Sequence, residues 1–147
     1  MKQNTFKVTA ICFLLMITAC SEPLVVIPGG KLDGQIQPTP ELWNQVADTI
    51  QVEMRSNDPY SINIWAAGLG PDLYMATSKD GTRWTEFLTA DPNVRARVNG
   101  TLYKLNVTQV SDPEERASVI AAYVSKYELE ADGEWVKDGQ IFRLDRR

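Results

Sequence analysis

Residues 94–110 read VRARVNGTLYKLNVTQV, and the fold follows from how that stretch is divided. Asn99-Gly100 separates two runs rich in β-branched and aromatic residues. This is the strongest short-range signal for a two-residue hairpin turn, because both turn residues must take positive φ and Asn and Gly tolerate it. With these two as the loop, Val98 faces Thr101, Arg97 faces Leu102, Ala96 faces Tyr103 and Arg95 faces Lys104. Side chains alternate across a strand, so Val94, Ala96, Val98, Tyr103 and Leu105 share one face, predicted to be buried. Arg95, Arg97 and Lys104 share the other. Like charges across a ladder are unfavourable by up to about 1 kcal/mol. The outer face therefore either spreads its long side chains into solvent or is matched by something acidic: a ligand anion, a lipid headgroup, or the acids of Asp112 to Glu115.

Upstream of the hairpin, Thr49 to Arg55 alternates, with Ile50, Val52 and Met54 on one face and Gln51, Glu53 and Arg55 on the other, the mark of a half-buried strand. A turn at Asn57-Asp58-Pro59 leads to a second strand, Ser61 to Ala67. Gly68 to Asp72 turns into a third, Leu73 to Thr77. Gly81 to Ala90 reads as a short helix closed by Asp91-Pro92-Asn93, and Thr39-Pro40-Glu41 as the start of another through Trp43 and Val46. Downstream, Asp112-Pro113-Glu114-Glu115 caps a helix, with Glu115 predicted to reach back in a capping box. Val119, Ile120, Tyr123 and Tyr127 form its apolar stripe. Gly139 to Leu144 is a final strand, with Glu134 to Val136 as its expected hairpin partner. Six strands with two or three helices give a β-rich α+β fold, an antiparallel barrel or sheet with short helices packed on it.

The chain has 147 residues, 44% hydrophobic and 23% charged, which suits one globular domain. Its formal net charge of −4 argues against nucleic-acid binding, which needs a basic face. There is no histidine. That absence excludes Ser-His-Asp and Cys-His catalysis and most transition-metal sites. Glu53, Glu86, Glu128 and Glu130 have no spacing suggestive of a paired-carboxylate hydrolase. Gly68-Leu69-Gly70 lies between strands and opens no phosphate-binding helix. No catalytic residue and no metal site is assigned. Four tryptophans, Trp43, Trp65, Trp84 and Trp135, are many for this length; most serve a core, but two or three around one pocket would make a platform for a flat ligand.

The N-terminus carries an address. Lys2 and Lys7 precede the apolar run VTAICFLLM at residues 8–16, too short to span a bilayer, and Ile17-Thr18-Ala19-Cys20 follows. This resembles the lipobox of bacterial lipoproteins, in which the cysteine is lipidated and becomes the mature N-terminus. The resemblance implies a signal peptide over residues 1–19, a lipidated cysteine and tether over 20–38, and the folded domain over 39–147. The anchor would be the acylated Cys20 in the lipid bilayer. Ser21 stands where lipoproteins retained in the inner membrane usually carry Asp, which implies the outer membrane, facing the periplasm. The tether has no helical period, and as a free coil it would span about 25 Å. Its apolar Leu24-Val25-Val26-Ile27 is expected to dock on the domain.

The order of elements also resembles the flavin-binding split β-barrel superfamily, in its nitroreductase-like and pyridoxamine-phosphate-oxidase-like branch. The similarity runs through TIQVEMRSNDPY (49–60), SINIW (61–65), DLYMATS (72–78), RWTEFLTADPNVRARVNG (83–100) and the D-P-x-E-R start of the last long helix. It implies a six-stranded antiparallel split barrel, a homodimer, and FMN or a deazaflavin as cofactor. The superfamily's phosphate site maps onto Thr77, Ser78, Lys79 and Arg83, where two hydroxyls and two cations could satisfy a phosphate by charge-assisted hydrogen bonds. Trp65 or Trp84 could stack on the ring. The same Thr-Ser-Lys-Asp-Gly also reads as a solvated turn, in which Asp80 would oppose a phosphate. A chain exported unfolded would have to acquire its cofactor in the periplasm. Three functions stay open: a binding module for a small flat or phosphorylated molecule, a flavin- or deazaflavin-dependent reductase, and an interaction lipoprotein of the envelope.

Overall fold

The Asn99-Gly100 turn forms as its residue types require: in a computed structural model that describes residues 29–147, both residues have positive φ, 48° and 81°. The predicted register holds, with Val98 opposite Thr101 and Arg95 opposite Lys104. Residues 1–28, with the expected signal peptide, Cys20 and the Leu24–Ile27 run, lie outside the described residues.

The strands are β1 (Thr49–Met54), β2 (Tyr60–Leu69), β3 (Asp72–Thr77), β4 (Asn93–Val98), β5 (Thr101–Gln109) and β6 (Gln140–Arg146). They pair antiparallel throughout and close into a barrel in the order β1-β2-β3-β6-β5-β4. Closure removes the open sheet edges that would otherwise template pairing with another chain. The helices are α1 (Arg83–Ala90), α2 (Pro113–Tyr127) and α3 (Glu134–Asp138). This is the β-rich α+β architecture expected.

Alternation sorts the strands into two hydrophobic clusters. Ile50, Val52, Met54, Leu73, Met75, Ala96, Leu105 and Leu144 fill the barrel, joined by Trp84 and Leu88 of α1. On the outer wall, Ala67, Tyr74 and Ile141 meet Val119 and Tyr123 of α2. Asp112 caps α2 by accepting from the Glu115 N–H at 2.8 Å. Glu115 does not complete the expected capping box. Its carboxylate instead accepts from the Tyr74 hydroxyl at 2.9 Å and from Arg143 at 2.7 Å, a charged partner across the interface outcompeting a local backbone N–H.

Three local expectations are corrected. Residues 39–46 form no helix; this stretch belongs to an extended strap, residues 29–48, laid on the barrel. Its backbone groups bond to the barrel and to α2 rather than to one another. Trp43 N–H donates to Gly70 O at 2.7 Å, Ala47 N–H to Asn99 Oδ1 at 2.9 Å, and Lys126 donates to Val46 O at 2.8 Å and Ala47 O at 3.0 Å. Two isolated helical turns are marginal in water, and these external partners outweigh them. Second, Glu134 to Val136 is helical, as part of α3, because one helical turn buries Val136 and sets Trp135 against Tyr123 at 5.2 Å. Third, the outer face of the hairpin is left to solvent only at Lys104, while Arg95 and Arg97 are partly covered. Glu53 stands directly opposite Arg95 across β1 and β4 and accepts from its Nε at 2.9 Å; the acids of Asp112 to Glu115 take no part. The strap covers this ion pair: Leu32 is buried, and its N–H also bonds to the Glu53 carboxylate. From Gly29 on, therefore, the stretch assigned to the tether lies against the barrel, starting with paired hydrogen bonds between Gly29 and Ser61 at 2.7 and 2.8 Å.

Candidate functional site

The end of β3 and the start of α1 place the residues that the sequence singled out. β3 finishes at Thr77, beside Gln140 of β6. A turn follows, closed by Gly81 N–H to Ser78 O at 3.1 Å, and Gln140 Nε2 fixes it by donating to Lys79 O at 2.8 Å. Arg83 is the first residue of α1.

These residues divide between two clefts. Thr77, Arg83 and Trp84 line a groove of about 380 Å³ with Thr82 and the β2 residues Tyr60, Ile62, Asn63 and Ile64. Ser78 and Lys79 open onto a neighbouring cleft of about 320 Å³, shared with Asp80, Glu134 and Trp135. Lys79 is paired there with Asp138 at 3.3 Å. The four-residue phosphate cluster expected from resemblance is thus not one cluster, because the turn carries Ser78 and Lys79 past the end of the sheet towards α3. In the first groove the Arg83 guanidinium lies 5.7 Å from the centre of the Phe87 ring, whose other cationic neighbour is Arg55 at 4.5 Å. Trp84 is buried and packs edge-on to Phe142 at 5.5 Å, so its faces serve the core. Tyr60, Ile62 and Ile64 supply the apolar wall that a flat ligand would meet.

Trp65 stands apart from that groove. It is 49% exposed and stacks on Tyr127, with centroids 4.6 Å apart and planes 9° from parallel. It lines a third cavity, of about 320 Å³, with Ala76, Tyr123, Leu129 and Trp135. Ala76 also lines the Thr77–Arg83 groove, so the two cavities adjoin along β3. Of the four tryptophans, two therefore share a pocket while Trp43 and Trp84 belong to the barrel core. Trp135 reaches this pocket as part of helical α3, whereas the sequence pattern at Glu134 to Val136 suggests a strand.

The hydroxyls behind this pocket are tied to the barrel wall. Tyr123 donates to the carbonyls of Trp65 at 3.0 Å and Tyr74 at 3.1 Å. Tyr127 bonds to Asp48 O at 2.6 Å, and Lys126 to Ala66 O at 2.7 Å. Burial pushes Tyr127 up to about 12 and raises Tyr123 further, so both remain neutral donors. Burial lowers Lys126. Among the described residues, no group of three or more His, Cys, Asp or Glu is placed to hold a metal ion.

No protein-family model matches the sequence, and no curated protein matches it. Solved structures do match. An FAD-binding protein from Mesorhizobium loti superimposes with a TM-score of 0.53 at 16% identity, over 69% of this chain and 82% of that one. A candidate pyridoxamine 5'-phosphate oxidase from Listeria innocua gives 0.53 at 12%, over 67% and 82%. A candidate 5-nitroimidazole antibiotic resistance protein from Bacteroides thetaiotaomicron gives 0.54 at 15%, over 67% and 72%. At these identities the likeness is one of fold: the chain is a six-stranded barrel of the kind these proteins share.

Proposed function

We propose that this chain is a lipid-anchored envelope protein, held by acylated Cys20 at the outer membrane and facing the periplasm, whose barrel binds a small, flat, anionic ligand of the flavin type. The observation that carries the ligand assignment is the convergence of Thr77, Thr82 and Arg83 at one groove with the apolar wall of Tyr60, Ile62 and Ile64. Fold by itself does not assign function, and the likeness to an FAD-binding protein supports the reading only in company with that groove.

The donor chemistry fits one end of a flavin nucleotide. Arg83 would hold a phosphate by charge-assisted hydrogen bonds, Thr77 and Thr82 would add hydroxyls, and the first turn of α1 would contribute free backbone N–H groups. Lys79 and Ser78 would stand outside this contact. A bound flavin or deazaflavin would supply hydride chemistry of its own; the protein's part would be to orient the ring and exclude water with the β2 side chains. Binding is the primary function in this reading, and a reductase activity is the second, carried by the bound ring.

The test is a titration of the full chain in detergent with FMN, FAD and riboflavin, read by quenching of flavin fluorescence. Arg83→Ala should weaken FMN by about tenfold or more, the size expected for one charge-assisted contact, and bring it level with riboflavin. Lys79→Ala should leave binding unchanged. Equal binding of riboflavin and FMN by the natural chain, or loss on Lys79→Ala instead, would overturn the assignment. Cys20→Ser should leave an unlipidated precursor; fractionation of that variant with outer membranes would overturn the anchor.

A further inference from the structure

We propose that the aromatic pocket between β2, the C-terminal half of α2 and α3 is a separate binding site for a small organic cation, a quaternary or protonated tertiary amine. Four rings form a continuous arc, three of which line the pocket, with Tyr127 backing Trp65. Trp65 stacks on Tyr127 at 4.6 Å, Tyr127 lies 5.4 Å from Tyr123, and Tyr123 lies 5.2 Å from Trp135. Trp65, Tyr123 and Trp135 line a cavity of about 320 Å³, the size of a small-molecule site.

Charge decides which ligand the cavity takes. Its lining contains two carboxylates, Glu130 and Glu134, and no cation. Neither carboxylate has an ion-pair partner among the described residues. Of the cations nearby, Lys79 is paired with Asp138, Lys137 on the helix of Glu134 forms no ion pair with it, and Lys126 is held on the barrel by the carbonyls of Val46, Ala47 and Ala66. The tyrosine hydroxyls that could donate to an anion are bonded to backbone carbonyls instead. An anion would meet two negative charges, with only the indole N–H groups of Trp65 and Trp135 as side-chain donors in the lining. A neutral apolar ligand would leave the carboxylates without a role. A compact cation satisfies both features, since aromatic faces carry negative quadrupole charge and attract ammonium groups most strongly at tryptophan.

This site is independent of the groove proposed for a flavin-type ligand, although Ala76 lies between the two. A cation bound here would therefore sit beside any anion held by Arg83 rather than compete for it. The pocket's rim is built from the loop between α2 and α3, a connection that the rest of the fold does not require for closure of the barrel.

The experiment compares choline with its uncharged carbon analogue, in which carbon replaces the quaternary nitrogen. Both are titrated into the full chain in detergent, followed by tryptophan fluorescence and by the indole N–H signals in NMR. Choline should bind saturably and at least about tenfold more tightly than the neutral analogue, the preference that one desolvated cation–π contact supplies. The shifts should be confined to two of the four indole signals, those of Trp65 and Trp135. Trp65→Ala, at a half-exposed position, should weaken choline by a similar factor. The double change Glu130→Gln and Glu134→Gln, on exposed side chains, should narrow the gap between the two probes without affecting folding. Equal binding of both probes, no saturable shift with either, or full retention of choline by the double variant would each overturn the proposal.

Discussion

Two sides of the barrel are covered by opposite means. On one, α2 lays Val119 and Tyr123 against Ala67, Tyr74 and Ile141, an apolar contact between a regular helix and the outer wall. On the other, the strap of residues 29–48 has almost no regular structure and is held by polar groups reaching up from the strands. Arg95 donates to Leu32 O at 3.0 Å, Arg97 bonds to Asp33 O, Arg146 to Pro40 O at 2.8 Å, and Asn99 to Gln45 O and the Ala47 N–H. A helix satisfies its own backbone and brings only side chains to the contact; an irregular segment must have its backbone satisfied by the surface it covers. That is why the arginines under the strap reach its backbone carbonyls, whereas Arg143 under α2 pairs with a side chain, Glu115.

The comparison can be broken most forcefully at Glu53. Its side chain is only 5% exposed, and removing it leaves Arg95, at 21%, without its partner beneath the strap. Glu53→Ala should cost about 3 to 5 kcal/mol, the range for breaking a buried pair from one side. Chemical denaturation measures the loss, and hydrogen exchange should locate it in residues 29–48 before α2. Next comes Gly68→Ala. A Cβ there would lie 1.9 Å from Trp43 O, so the strap must move; the expected cost is about 1 to 3 kcal/mol, with lost protection at the Trp43 N–H. On the helical side, Tyr123→Phe keeps the ring and removes the donor shared by two carbonyls, for about 1 kcal/mol by thermal unfolding, with strap exchange unchanged.

The smallest effect is alkaline. Tyr127 is raised from 10.0 to about 12, chiefly by burial, so its neutral form favours the fold. That contribution is complete below pH 10 and is lost as pH rises through about 12. Tyr74 and Tyr123 shift in the same direction, whereas Lys126, lowered by burial, works in the opposite one. Tyr127→Phe should therefore make the alkaline loss of stability shallower, as measured by denaturation at stepped pH.

The same contrast separates what was legible from what was not. α2 was readable because its cap, its proline at the first position and its stripe are all local. The strap reads locally as a tether leading into a helix, because Thr39-Pro40-Glu41 is a good local start and the partners of its carbonyls lie far away in sequence, at Asn99, Lys126 and Arg146. Glu53 could have been found. Alternation placed it on the outer face with the arginines opposite, and only the pairing of β1 with β4 was missing. The phosphate cluster failed differently: Thr77 to Arg83 are neighbours in sequence, but a turn sends consecutive residues into separate clefts.

The sequence by itself determined the strands, their inward and outward faces, the hairpin register and the capped long helix, because each is set by the two periodicities of the backbone and by turn residues acting within a few positions. Resemblance added that the six strands form an antiparallel barrel; the order in which it closes came from the structure. Only the tertiary structure decided which aromatic rings meet, which carboxylate neutralises Arg95 and which hydroxyls stand with Arg83. Glu53 and Arg95 are 42 positions apart and Trp65 and Tyr127 are 62, so no local preference encodes such pairings; even the near neighbours around Arg83 are sorted between clefts only when the strands and the turn have taken their places.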